Sequence, residues 1–174
     1  MNALMIVLRL IHIFAGVFWA GTSFFNLAFL SNTVNATGDE GRKVFQHLVF
    51  NTRFAVTMLT LALLTFLSGL LMYWRLSGFR PGYLTTGYGL ILTLGGIAGL
   101  LALGTGYGMQ YRVIQKMKAL RAEIEAGGGP PSSDQMAQMQ SLAQSAATGA
   151  RVTTALLVLA LIGMSVAQYA AFLF

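Results

Sequence analysis

A chain of 174 residues that is 56% hydrophobic and only 9% charged has too few charges to cover a water-soluble globule, so lipid is the expected solvent. Its net charge of +6 does not indicate nucleic acid, because the basic residues gather at the ends of apolar segments and sit in no recognition motif. The absence of cysteine excludes disulfides, thiolate metal sites, iron–sulfur clusters and haem attached through C-x-x-C-H.

Four stretches are long and apolar enough to be predicted as membrane-spanning helices, which makes the expected fold all-α: an integral membrane four-helix bundle in one domain, 1–174. The first span covers about 2–30. It could be mistaken for a signal peptide, since Val34-Asn35-Ala36 offers small residues at cleavage-like spacing. No Lys or Arg precedes Arg9, however, and the apolar run is much longer than the usual core of about 7–15 residues, so a retained helix is expected. Within it His12, Gly16, Trp19, Ser23 and Asn26 follow one another at steps of four, three, four and three. At 3.6 residues per turn all five share one face, and lipid gives polar atoms nothing to bond, so that face is expected to meet protein or a bound group.

A polar connection is expected over Ser31 to Arg42, with Gly38 and Gly41 as breakers and helix resuming near Lys43. The second span covers about 53–74, and the turn Arg75 to Gly82 follows, closed by Pro81-Gly82. The third covers about 83–109. It should continue as an amphipathic helix, because Val113, Met117, Leu120 and Ile124 fall on one face. Gly127-Gly128-Gly129-Pro130-Pro131 ends it, and Ser132 or Ser133 is placed to cap the helix that leads into the fourth span, about 152–174. The stretch 110–151 is therefore expected to be a helical hairpin outside the bilayer, either a solvated stalk or a docking surface.

Counting positive charge orients the chain. Arg42, Lys43, Arg53, Arg112, Lys116, Lys118, Arg121 and Arg151 fall on the hairpin side, against Arg9, Arg75 and Arg80 on the other. That asymmetry puts the hairpin in the cytoplasm and both termini outside, in a bacterial inner membrane. Tyr73, Trp74, Tyr83, Tyr88 and Tyr169 form the expected external aromatic belt. Small-xxx-small pairs at Gly95/Gly99 and Gly104/Gly108, with Ala160, Gly163, Ala167 and Ala171, mark the third and fourth spans for close packing, a dimer interface or a flat cofactor.

The chemistry centres on His12, an ionisable residue at membrane depth. Its imidazole suits a haem, copper or zinc ligand, a structural hydrogen bond to a neighbouring helix, or a proton relay. His47 belongs to the opposite boundary, so the two histidines do not share one iron within a protomer. A second ligand would be Met72, Met164 or His12 of a second subunit. Arg9 and Arg53, at opposite boundaries, suit either haem propionates or lipid headgroups. All five acidic residues (Asp39, Glu40, Glu123, Glu125 and Asp134) lie in connections, which argues against transport that relies on a carboxylate at membrane depth.

The opening LRLIHIFAGVFWAG resembles the first helix of several bacterial membrane families: CopD-type copper-resistance proteins, HemJ-type protoporphyrinogen oxidases and the membrane part of PuuD-type urate oxidases. RKVFQHLVFNTRFAV and the GGGPPSS turn are similar to small CopD-like proteins. The HemJ-type resemblance implies haem b at His12, with Gly16 leaving room for the macrocycle, Arg9 at a propionate and Trp19 on the same face. The leading expectation is a haem-b protein for electron transfer or haem handling. The alternatives are a non-enzymatic accessory or assembly subunit, without a cofactor, of a homo-oligomer or larger membrane complex, and copper or other metal transport.

Overall fold

The computed structural model describes residues 3–172; the expected span ends at Asn2 and at Leu173–Phe174 lie outside the described residues. Apart from turns these residues are helical, with no strand among them. Four helices are long and apolar enough to cross a membrane: α1 (Ala3–Ala36), α3 (Phe54–Ser77), α4 (Gly87–Ala126) and α5 (Ser133–Ala170). A short amphipathic helix, α2 (Gly38–Gln46), follows α1. Even within the most apolar stretch of each long helix, no more than 28% of residues are buried inside the molecule. Phe14, Val17 and Phe18 are each more than 60% exposed. Apolar surface on that scale requires lipid or another protein around it.

Two boundaries differ from the sequence expectation. Ser31–Ala36 is helical and prolongs α1 rather than opening a loop, and the break falls at Thr37. Gly41 is no breaker: it lies inside α2, while Gly38, with φ +59, provides the turn. The reason is local. Ser31 Oγ donates to the Asn26 carbonyl at 2.8 Å, Asn32 Nδ2 to that of Ala28 and Thr33 Oγ1 to that of Phe29, so polar side chains continue the helical hydrogen bonding. The turn after α3 is made by Gly78, whose left-handed φ of +55 lets its N–H reach the Trp74 carbonyl. Pro81 opens a short 3₁₀ turn, Pro81–Tyr83.

The hairpin forms as the pattern indicates. Val113 and Leu120 are buried, with Met117 and Ile124 half-buried beside them, and this face packs on α5. Ser132 supplies the cap: its hydroxyl accepts from the Gln135 N–H at 3.2 Å, and the Gln135 side chain accepts from the Ser132 N–H at 3.0 Å.

Packing is chiefly pairwise, α1 on α3 and α4 on α5. Glycine sets the second pair: a Cβ on Gly163 would come within 3.0 Å of Gly95 Cα, and one on Gly95 within 3.2 Å of the Met164 nitrogen. The pairs join in a core to which each long helix contributes one residue, Trp19, Ala62, Ala102 and Leu157. By contrast, Gly104 and Gly108 have nothing within 4 Å of an added Cβ.

Candidate functional site

The predicted stripe on α1 is a protein-facing surface, and α3 supplies what it faces. His12 is half-buried, and its Nδ1 lies 2.7 Å from the backbone carbonyl oxygen of Thr65. A carbonyl only accepts, so Nδ1 carries a proton, and in the neutral ring Nε2 is then the nitrogen with the free lone pair. Gly69, one turn further along α3, makes room for the ring: a Cβ there would stand 2.7 Å from His12 Cε1 and 3.0 Å from Nδ1. The buried Ser68 hydroxyl donates to the Leu64 carbonyl at 2.5 Å and lies 3.1 Å from the Thr65 carbonyl oxygen.

Gly16, one turn below His12, faces the Thr65 methyl, which an added Cβ would meet at 3.4 Å. It also opens on an apolar groove of about 330 Å³ between α1 and α5, bounded by Val17, Gly21, Leu157 and Leu161. Trp19 is buried at the centre of the molecule. Arg9 is exposed, and neither ion pair among the described residues, Arg42–Asp39 or Lys43–Glu40, involves it. Met72 belongs to the Thr65–Gly69 face of α3, three residues beyond Gly69 and half-buried. Met164 stands on α5, where its backbone meets Gly95. His47 is exposed on the hairpin side. His12, Gly16 and the Met72 face are therefore brought into one α1–α3 seam. Among the described residues no three of His, Cys, Asp or Glu cluster as a metal group.

Sequence reasoning missed the α3 half of this seam. The available signal was Ser68 and Gly69 within an otherwise apolar run, but helical periodicity alone does not pair them with His12.

A second polar system, also missed, lies in the hairpin half. Gln110 Nε2 donates to Thr153 Oγ1 at 2.9 Å, and Thr153 and Thr105 share a 2.8 Å hydroxyl contact. Thr105 in turn lies 3.1 Å from the Leu101 and Ala102 carbonyls. The chain of donation thus runs from Gln110 through the fully buried Thr153 and Thr105 to the α4 backbone. Residues 105 and 110 would face about 140° apart on a regular α-helix at 100° per residue. The π-helical segment Gly106–Tyr111 turns them onto the same side.

In the turn beyond α3, Tyr83 contacts Tyr73 edge-on at 5.7 Å and Tyr88 at 6.3 Å between ring centres. Its buried hydroxyl has no hydrogen-bond partner among the described residues. Burial first, and then the neighbouring Tyr88 and Tyr73 hydroxyls, raises its pKa above the ordinary tyrosine value.

Comparison with models of protein families, with curated proteins and with solved structures finds no match to this chain. The site's own geometry therefore carries the functional reading.

Proposed function

We propose that this chain is a multi-pass protein of the bacterial inner membrane, a four-helix bundle with a cytoplasmic hairpin and external termini, that binds haem b for electron transfer or haem handling. The observation that carries the reading is the His12 tautomer: Nδ1–H held on the Thr65 carbonyl at 2.7 Å, leaving Nε2 as a base. A metal-ligating histidine characteristically donates its other N–H to a carbonyl or carboxylate, which fixes the ring and raises its basicity. In this reading His12 would ligate the haem iron, Arg9 would meet a propionate, and Gly16 would offer a small contact to the ring. Met72, on the same seam, is the favoured second ligand over Met164. Bound haem would supply a one-electron couple; the protein's own part is to orient the imidazole and exclude water from it. The resemblance of the first helix to HemJ-type proteins supports the same residue, and the excess of basic residues around the hairpin supports the orientation.

The second reading is an accessory subunit of a larger membrane complex. Gly104 and Gly108 favour it, because they form a small-residue pair that no helix among the described residues covers. Absorption of the purified protein separates the two. The haem reading requires a Soret band that disappears in His12→Ala while helicity is kept, and a colourless, folded wild-type protein overturns it. Co-purifying subunits then favour the accessory reading, whereas copper held by wild type and lost in His12→Ala favours metal transport.

A further inference from the structure

Between α1, α3 and α4, on the hairpin side of Trp19, lies a cavity of about 70 Å³. Trp19 forms its floor, packed with Ala62, Ala102 and Leu157. Its walls are mixed: Ser23, Asn26, Tyr107 and Gln110 are polar, and Met58 and Ala62 are apolar. Two features show that protein atoms alone do not satisfy it. Asn26 Oδ1 is buried with no hydrogen-bond partner among the described residues. Gln110 gives one amide N–H to Thr153 and keeps a second N–H and a carbonyl oxygen.

Leaving a buried carbonyl oxygen unpaired forfeits its hydration with no return, so an occupant with a donor is favoured. Size decides which. A dry apolar cavity of about 150 Å³ accepts benzene, whereas a water takes about 30 Å³ and needs two to four polar partners. At half the benzene volume and with amide and hydroxyl walls, this cavity suits a pair of waters better than a ring. The backbone is shaped for it as well. Asn26 opens the π-helical segment Asn26–Leu30 and Gln110 lies in Gly106–Tyr111, so wide turns in both α1 and α4 bring carboxamides to the same space. π segments recur at functional sites for this reason.

We propose that this cavity is a hydrated binding site in the hairpin half of the membrane, holding water on Asn26 and Gln110 and ending at Trp19. Its ligand is water or a hydrogen-bond donor of that size. The site is separate from His12, which lies two turns along α1 on the far side of Trp19, and it stands whether or not His12 binds haem.

Synchrotron radiolytic footprinting of the intact protein in nanodiscs tests this, because hydroxyl radicals formed from bound water mark the side chains that touch it. Trp19 is expected to be oxidised readily despite its place inside the molecule, with the half-buried Met58 marked as well. In Asn26→Leu the oxidation of Trp19 is expected to fall severalfold, with that of the exposed Trp74 unchanged. Gln110→Met gives the same comparison should Asn26→Leu fail to fold. Trp19 unmarked in the wild type overturns the proposal, and so does Trp19 oxidation unchanged in a folded variant.

Discussion

Gly69 does for His12 what no other residue type would. A methyl group there would overlap the imidazole at 2.7 Å, so Gly69→Ala is expected to push the ring off the Thr65 carbonyl and free its tautomer. Histidine NMR on labelled protein should then show Nδ1 losing its single protonated state, and any haem signal should weaken. Gly104→Ala, with nothing within 4 Å of the new Cβ, is expected to leave both unchanged in the isolated protein. Tyr83 makes a different case. Because its folded pKa is raised, its contribution to stability is complete below about pH 10 and is lost as pH rises through the folded value. Tyr83→Phe should remove that alkaline loss. It also removes a hydroxyl with no partner among the described residues, and should leave stability at neutral pH equal or slightly higher. A denaturation series of both proteins across alkaline pH checks the sign.

At the scale of elements, α4 and α5 are held by two devices of different character. The glycine crossing at Gly95 and Gly163 relies on backbone approach, where dispersion contacts accumulate because no side chain intervenes. The Gln110–Thr153–Thr105 chain relies on polar groups that lipid would leave unpaired. Thr153→Val keeps the shape and strands Gln110, and should cost about 1 kcal/mol, the scale of interhelical hydrogen bonds in membranes. Thr60→Val removes only an exposed bond to the Val56 carbonyl and should cost much less. Unfolding of the two variants in mixed micelles measures the difference.

For the whole molecule, the question is how it sits in the bilayer. In the orientation proposed from the charge asymmetry, the Gly127–Pro131 turn faces the cytoplasm. In inside-out vesicles a protease site placed at this exposed turn should be cut from the bath; in right-side-out cells it should be protected. The reverse pattern would invert the orientation. The turn tolerates insertion because no helix crosses it and Gly128 already takes a left-handed φ of +65.

Composition and periodicity by themselves determined the number of long helices, the amphipathic continuation of α4, a serine cap at 132 or 133 and the protein-facing stripe of α1. These are consequences of local pattern, since a helix needs only its own residues to form and an apolar length only its own composition to prefer lipid. The helical run over Ser31–Ala36 was not legible, because polar residues read as loop until their side chains are seen bonding the preceding carbonyls. The partners of the stripe needed tertiary structure throughout. That His12 meets Thr65 and Gly69, that Trp19 closes the centre, and that Asn26 and Gln110 share one cavity all depend on which helices lie side by side. The last also depends on π turns that rotate residues out of their expected phase. Sequence spacing fixes the face a residue occupies on its own helix; the crossing of two helices decides what that face meets.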